Sequence, residues 1–296
     1  MDVVAVDDDG RILWSRGDAE RAVLPRSALK PVQAVPLVRT GLLDADPLAD
    51  RRLALACASH GGEPLHVQSV DAWLADLGLD QGQLACGAHV PTHRPSADAL
   101  VAAGELPTAM HNNCSGKHVG FLAVCRHADI ESAGYLSPTH PLQAQHLTPI
   151  VEELCGVSLS GMVPGVDGCG IPVWSLPLDR LAAGWAALAR SDEGRRIYEA
   201  MTAEPFMVAG TDRACTRLME SGAGRLAVKT GAEGVYCAIA TESGAAIALK
   251  ARDGATRASE IAVEWAIAEL GVGDPPEPQV LRNWAGTVVG EVRIAD

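Results

Sequence analysis

The chain has 296 residues, of which 48% are hydrophobic, and its 24 basic and 37 acidic residues give a net charge of −13. This length can bury one large core, or one core with an appended subdomain. An acidic chain is repelled by phosphate backbones, so we expect no nucleic-acid partner, and no apolar run approaches the roughly 18 residues that cross a membrane.

Residues 1–9 contain neither a basic stretch nor an apolar export segment, so we expect a cytoplasmic protein. In that reducing compartment the eight cysteines are expected to be buried thiols, metal ligands or nucleophiles rather than a disulfide framework.

The first half of the chain begins with a hairpin and continues with helices. Residues 2–6 and 11–15 are apolar around an Asp-Asp-Asp-Gly turn, which predicts two paired strands. Residues 53–58 indicate a short buried strand or a helix end, and residues 87–107 indicate an irregular segment. Helical spacing of apolar residues predicts helices over residues 27–43, 63–77, 114–127 and 141–155.

The second half is helical first and then rich in strands. A turn-rich stretch over 163–170 precedes two or three helices between residues 178 and 221. The later elements are predicted as strands over 225–229, 235–240 and 245–251, a helix over 255–270 and a last strand over 287–294.

This order predicts an α+β fold, because the first hairpin and the late strands close most simply into one antiparallel sheet flanked by helices. We expect residues 1–296 to form a single catalytic domain. The two chain ends would build a sheet lobe, and residues from about 60 to 222 a helical second lobe. A ligand is expected in the cleft between them.

Lysine is rare in this chain: Lys30, Lys117, Lys229 and Lys250 are the only four among 24 basic residues. Arg stays protonated, whereas a buried Lys can lose its proton and act as a base. The positions that keep Lys are therefore candidates for chemistry that Arg cannot perform.

Two motifs point to serine–lysine catalysis. Ser27 and Lys30 form an S-x-x-K sequence at a predicted helix start, where residues three apart share a face and the amine can reach the hydroxyl. Lys229 opens a K-T-G sequence after a predicted strand, and this is the third element of serine β-lactamases, whose first is S-x-x-K. Ser59, followed by His60 and two glycines, is a second candidate serine.

A third group has the composition of a zinc site. Cys114 and Lys117 are three residues apart at the start of a predicted helix, and Cys169 lies in a glycine-rich loop. Two thiolates and a nitrogen donor suit Zn²⁺, although Lys is an unusual ligand that must be deprotonated. The alternative is that these cysteines are ordinary small core residues.

Taken together, these segments resemble the rhizobial-type (class 3) L-asparaginases of the asparaginase II family. Five separated blocks, in order along most of the chain, carry the resemblance: residues 25–31, 59–63, 112–118, 167–170 and 229–234. The resemblance implies a β-lactamase-like (transpeptidase-like) fold and hydrolysis of L-asparagine to L-aspartate and ammonia. Members usually have a further strand before the first hairpin strand, so we expect either that this sheet lacks an edge or that the start of the sequence is mis-set.

The resemblance also implies roles for individual residues. Ser27 with Lys30, and Ser59 with Lys229, would form two neighbouring serine–lysine pairs, and we favour Ser27 slightly as the nucleophile. The metal ligands would be Cys114, Lys117 and Cys169, holding a partly occupied zinc that is not strictly required. Substrate-binding residues would be Arg26, His60, Asn112, His118, Asp167, Gly231 and Glu233.

Arg26 is the nearest cation for the substrate carboxylate, and Asp167 and Glu233 are candidates for its ammonium. We expect a homodimer that acts on a small molecule. Two alternatives are a β-lactamase-like or peptidase-like serine hydrolase, and a non-catalytic zinc-binding or amino-acid-binding protein on the same scaffold. The missing export signal argues against the first, and retention of all three motif lysines against the second.

Overall fold

The computed structural model describes residues 1–295. The strands are β1 (Asp2–Val6), β2 (Ile12–Arg16), β3 (Ala22–Val23), β4 (Gly165–Val166), β5 (Pro172–Val173), β6 (Leu176–Pro177), β7 (Leu226–Gly231), β8 (Val235–Ala240), β9 (Ala246–Lys250), β10 (Gln279–Arg282) and β11 (Val288–Val292). The α-helices are α1 (Lys30–Gln33), α2 (Val35–Arg39), α3 (Ala49–Ala56), α4 (Pro64–Asp76), α5 (Arg94–Ala103), α6 (Ser115–His127), α7 (Thr148–Cys155), α8 (Leu178–Arg190), α9 (Asp192–Ala203), α10 (Pro205–Val208), α11 (Ala214–Gly222) and α12 (Thr256–Glu269). The 3₁₀ segments are Arg26–Leu29, Gln81–Gln83 and Ala109–His111, and Leu142–Leu147 is a π-helix.

The main sheet joins the two ends of the chain. β1 and β2 form the predicted hairpin, and the strand order is β2-β1-β9-β8-β7, with every neighbouring pair antiparallel. Val4 pairs with Ala248 across β1 and β9, and Lys229 pairs with Cys237 across β7 and β8. The predicted α+β class, with an antiparallel sheet closed from both chain ends, is confirmed.

Helices cover both faces of this sheet. Every residue of β1 and β8 is buried, and side chains alternate between the two faces of a strand, so both faces need cover. Helix α8 packs against β1, β8 and β9, and α12 packs against β8 and β9. This double cover explains why these strands are continuous apolar runs in the sequence.

A close contact between two helices positions part of the site. A Cβ atom at Gly116 in α6 would lie 2.4 Å from the carbonyl oxygen of Leu55 in α3, and one at Gly120 would lie 3.4 Å from the Ala56 Cβ atom. The missing side chains therefore allow α6 to lie directly against α3. As a result, Lys117 near the start of α6 is brought close to the segment after α3, where Ser59 follows.

The predicted helix over residues 27–43 is broken into shorter pieces. A 3₁₀ turn leads into α1 and then α2, which ends at Arg39. Pro31 and Pro36 have no N–H to donate, and Gly41 adopts the left-handed conformation at φ 68°, so helical bonding is interrupted and then stops.

Several other boundaries also differ from the expectation. Residues 53–58 belong mostly to helix α3, which resolves the alternative between strand and helix. The segment over 87–107 is not wholly irregular, since it contains α5; no residue of α5 is buried, so it has no hydrophobic pattern to detect. The predicted helix over 141–155 begins as a π-helix because Pro149 interrupts the regular ladder.

The last predicted strand forms as β11, but it lies outside the main sheet. It pairs with β10 in a separate two-stranded sheet. Within residues 1–295, no helix is both long enough and apolar enough to cross a membrane.

Candidate active site

Ser27 and Lys30 are joined by one tight turn. The backbone N–H of Lys30 donates to the carbonyl of Ser27, so the two residues are linked by a 3₁₀ hydrogen bond. Side chains three residues apart eclipse one another in this geometry. The Lys30 side chain is buried, with the residue 1% exposed, whereas Ser27 remains partly exposed.

A sharp turn after α3 holds Ser59. Its backbone N–H donates to the carbonyl of Val208 at 2.9 Å, and that of His60 donates to Asn113 at 3.2 Å. Gly62 has φ 72°, which few other residues tolerate, and closes the turn. Ser59 is thereby fixed directly after α3 and is only 5% exposed.

The Ser59 hydroxyl bridges two lysines. Its Oγ atom lies 3.1 Å from the Nζ atom of Lys30 and 2.8 Å from that of Lys229. Lys229 is 1% exposed and also donates to the carbonyl of Thr230 at 2.8 Å. Ser59 is therefore the point where the two predicted motifs meet.

The two lysines have different remaining partners. Besides Ser59, the Lys30 ammonium donates to the carbonyl of Ala58 and to the Sγ atom of Cys114, the latter at 3.2 Å. These three acceptors match the three N–H groups of an ammonium. Within residues 1–295, no hydrogen bond joins the Ser27 hydroxyl to the Lys30 amine. The two residues of the first predicted pair are therefore adjacent along one turn but not directly bonded through their side chains.

Lys229 is the amine best able to be neutral. Its burial, together with the positive charge of Lys30, lowers the pKa of Lys229 to about 7. A neutral Lys229 can accept the Ser59 proton while still donating to the Thr230 carbonyl.

The predicted metal ligands form a buried cluster beside Lys30. Cys114, Lys117 and Cys169 are each 5% exposed or less, and the Lys117 Nζ atom lies 3.0 Å from the Cys169 Sγ atom. Hydrogen bonding to Cys169 outweighs burial and, with the charges of Lys30 and Lys117, holds the pKa of the Cys114 thiol well below its ordinary value. The same sharing and burial raise the pKa of Cys169, so the pair holds one thiolate.

This donor set fits a soft divalent cation. Two sulfur atoms and one amine are the kinds of ligand that zinc accepts. Over residues 1–295, no group of three or more His, Cys, Asp or Glu side chains is arranged to hold a metal. A three-ligand site here would therefore need Lys117 as its third donor.

Three charged residues predicted to bind substrate lie together. The Arg26 Nε atom donates to the Asp167 Oδ1 atom at 2.5 Å, and its Nη1 atom donates to the Glu233 Oε1 atom at 3.2 Å. Arg26 and Glu233 have φ angles of 52° and 61°, a left-handed conformation that is uncommon outside glycine. Held in this way, the guanidinium keeps one nitrogen, Nη2, for another acceptor.

His60 and Asn112, also predicted to bind substrate, form hydrogen bonds to other groups of the chain. The His60 Nδ1 atom accepts from Gly62 at 3.2 Å, and its Nε2 atom lies 2.9 Å from the Ser115 Oγ atom. Both Asn112 amide protons donate to backbone carbonyls, at 2.9 and 3.0 Å, and its Oδ1 atom accepts from Cys114 at 2.9 Å. These bonds hold both side chains in place, and substrate binding by His60 and Asn112 remains a prediction.

Gly231 contributes through its lack of a side chain. A Cβ atom there would lie 2.5 Å from the carbonyl oxygen of Pro25 and 3.3 Å from the backbone nitrogen of Ala28. The end of β7 thus presses against the backbone on either side of Ser27. His118 differs from the others in that its Nε2 atom is buried and has no hydrogen-bond partner in the described chain.

Two contributors were missed by sequence reasoning. Tyr135 bonds to His118 from a segment with no regular pattern, so nothing in the sequence pointed to it. Glu63, buried at 6% exposure, accepts hydrogen bonds from the backbone N–H and the hydroxyl of Thr211. These bonds fix the loop after Val208, the residue whose carbonyl accepts from the Ser59 N–H. A charged residue directly after the two glycines was the available signal for Glu63.

A comparison with protein families identifies the class of enzyme. The chain matches the L-asparaginase II family over residues 1–294. That match implies a hydrolase that acts on amides. The chain belongs to the L-asparaginase II family.

A solved β-lactamase from Mycobacterium bovis is similar in structure. It is 15% identical, with a TM-score of 0.47, and the match covers 92% of this chain and 95% of that chain. None of the curated proteins matches this chain.

Proposed function

We propose that the protein hydrolyses the side-chain amide of L-asparagine to L-aspartate and ammonia through a serine–lysine mechanism. The observation that carries the proposal is the buried Lys30–Ser59–Lys229 chain, which lies one turn from a partly exposed serine. Family membership supports the reaction class, and the residues of the site support the mechanism.

Ser27 is the proposed nucleophile. A nucleophile must meet the amide carbon, and Ser27 is partly exposed whereas Ser59 is 5% exposed and enclosed between amines. Attack forms a bond from the Ser27 oxygen to the amide carbon, and the carbon–nitrogen bond then breaks to release ammonia. Water hydrolyses the resulting ester, which yields aspartate and restores the serine.

Ser59 is the proposed proton conduit. A hydroxyl between two amines can give its own proton to one while taking a proton from the other. Lys30 would first pass its proton through Ser59 to the neutral Lys229, would then accept the proton lost by Ser27, and would give that proton to the amide nitrogen as it leaves as ammonia. Lys229, with a pKa of about 7, can hold or return the proton it receives near neutral pH.

The charged group of Arg26, Asp167 and Glu233 is the proposed substrate clamp. The guanidinium offers its remaining nitrogen to the α-carboxylate, and the two carboxylates attract the α-ammonium. Asp167 is the better ammonium partner, because it is 9% exposed, whereas Glu233 is 71% exposed. Anchoring both charges of the amino acid fixes the distance from Cα to the reacting amide.

Zinc is the proposed metal, held by Cys114, Lys117 and Cys169. When bound, it would supply a Lewis acid that polarises or orients an oxygen of the substrate. Partial occupancy follows from the donor set, because Lys117 must first lose its proton. Burial would lower the pKa of Lys117, but the negative charge that Cys114 and Cys169 share outweighs it and raises that pKa. A cytoplasmic location and a homodimeric state remain predictions.

The test of the reaction is ammonia release from L-asparagine, L-glutamine and a chromogenic β-lactam. We expect L-asparagine to react much faster than L-glutamine, since one extra methylene shifts the amide by about 1 Å, which can cost roughly a hundredfold. We expect no opening of the lactam. Equal amide rates, or activity on the lactam alone, would refute the proposed substrate.

The test of the nucleophile is mapping of the acyl group after rapid acid quenching during turnover. The aspartyl ester should be found on the peptide that contains Ser27, and the Ser27→Ala variant should form no ester. Ser59 is the alternative nucleophile, because its hydroxyl is hydrogen-bonded to both lysine amines. An ester on the Ser59 peptide would reverse the two roles without affecting the proposed reaction.

A further inference from the structure

His118 combines deep burial with an unused hydrogen-bonding atom. Its residue is 0% exposed, and its Nε2 atom has no hydrogen-bond partner within residues 1–295. It follows Lys117 in α6, and burial, followed by the charges of Lys117 and Lys30, lowers the pKa of its ring. Buried polar groups are normally paired, so an unpaired ring nitrogen at this position needs an explanation.

The other ring nitrogen is held by a tyrosine. The His118 Nδ1 atom lies 2.6 Å from the Tyr135 Oη atom, and that Oη atom accepts from the backbone N–H of Ala85 at 2.9 Å. Tyr135 is 2% exposed, and its backbone carbonyl accepts from the Gln143 side chain at 2.9 Å. Hydrogen bonds therefore hold both the backbone and the hydroxyl of Tyr135.

Hydrogen-bond accounting then assigns the proton of His118. The Tyr135 oxygen already accepts from Ala85, and among the described residues His118 Nδ1 is the acceptor within reach of its proton. If Nδ1 carried a proton instead, the tyrosine proton would be buried with nowhere to go. The satisfied arrangement has the tyrosine donating to Nδ1. The neutral ring must then carry its proton on Nε2.

We propose that Tyr135 is a positioning residue, whose hydroxyl fixes the His118 tautomer so that Nε2–H is presented to an anionic oxygen of the bound substrate. A buried N–H donor without a partner, on the residue next to Lys117, is suited to such an oxygen. For its ligand this inference rests on the proposed function, whereas the tautomer itself does not depend on it.

The tautomer is read by NMR on protein labelled with ¹⁵N-histidine. The His118 signals are assigned from their loss in the His118→Gln variant. We expect Nε2 to carry the proton in the wild type, and the Tyr135→Phe variant to show a mixture of tautomers. A proton on Nδ1 in the wild type, or an unchanged spectrum in Tyr135→Phe, overturns the proposal. If Tyr135→Phe does not fold, the wild-type tautomer alone decides.

Kinetics give the second readout. Tyr135→Phe should lower kcat/KM for L-asparagine by about 10- to 100-fold, the range found when a group that orients a metal-ligating histidine is removed. It should cause no further loss in the His118→Gln background, because the two residues act as one unit. Additive losses would contradict the proposal.

The matched control is Tyr198→Phe. Tyr198 is also buried, at 3% exposure, and its hydroxyl donates to the carbonyl of Trp185 at 3.1 Å, away from His118. It should leave kcat/KM and the His118 tautomer unchanged, and a loss equal to that of Tyr135→Phe would mean that any buried hydroxyl matters. A wild-type protein without asparaginase activity would refute the proposed function and leave the tautomer result intact.

Discussion

The Nζ atom of Lys229 lies 2.8 Å from the Oγ atom of Ser59, and the same hydroxyl is 3.1 Å from the Nζ atom of Lys30. Two ammonium groups that share one buried hydroxyl would repel each other strongly, so one of the amines must be easy to deprotonate. Lys229 is that amine, because its burial and the positive charge of Lys30 lower its pKa to about 7. The pair formed by Lys30 and Lys229 therefore readily gives up one of its two ammonium charges.

The first prediction concerns the need for lysine at both positions. Lys30→Arg and Lys229→Arg should each nearly abolish turnover, because Arg keeps the positive charge but cannot release a proton. Lys250→Arg is the matched control: Lys250 donates to the carbonyls of Glu233 and Ala251, and Arg can make such bonds. Ammonia release and thermal unfolding should be measured together. Near-normal activity in either motif variant would rule out a proton-transfer role.

The second prediction concerns pH. Lys229 must be neutral to accept a proton, so kcat/KM should fall as the pH drops through about 7, the value to which burial and Lys30 lower its pKa. The sign follows from the base being active only above its pKa. A pH–rate profile with L-asparagine checks this, in buffers of constant ionic strength. A flat profile between about pH 6 and 8, or activity that rises toward acid, would contradict it.

The sequence predicted much of this site because its motifs are local. Ser27 and Lys30 are one turn apart, so their proximity follows from spacing alone. The rarity of lysine was equally informative, because Lys30, Lys117 and Lys229 are all 2% exposed or less in the structure. The hairpin and late strands were detectable because their apolar runs are short, regular and bounded by turns.

What the sequence could not predict is which groups meet across the fold. The bond between Lys229 and Ser59 spans 170 residues and depends on how the sheet packs against the segment after α3. The bonds that His60 and Asn112 make to Ser115 and to the carbonyl of Cys86 are likewise formed only by the folded chain. Helix α5 escaped detection because nothing in it is buried.

The third prediction concerns the metal. Elemental analysis of protein purified without chelator should find zinc in a single, partly occupied site per chain, with an open fourth position. The Cys114→Ser/Cys169→Ser double variant should lose it, and the control pair Cys125→Ser and Cys155→Ser should not, because those buried thiols lie outside the cluster. The stripped protein should stay folded and active with a higher KM. Unfolding on removal of zinc would mean that its role is structural.

The fourth prediction concerns the close contact between β7 and the backbone around Ser27. In Gly231→Ala, the new Cβ atom would lie 2.5 Å from the Pro25 carbonyl oxygen and 3.0 Å from the Val235 Cβ atom, so backbone must move. Overpacking of this kind typically costs about 1–3 kcal/mol of unfolding free energy. Because the displaced segment carries Ser27, kcat should also fall by about a hundredfold, as expected for misplacement by about 1 Å.

Gly290→Ala in β11 is the control for that variant. Its Cβ atom would find its nearest neighbour, the Leu281 Cδ1 atom, at 4.0 Å, so the added methyl group fits, and β11 lies outside the main sheet. Denaturant unfolding and steady-state kinetics separate the two effects of Gly231→Ala: stability should fall modestly, whereas kcat should fall even under conditions where the variant is fully folded. Full activity in folded Gly231→Ala would mean that the position of Ser27 does not depend on the end of β7, and that the nucleophile is held from elsewhere.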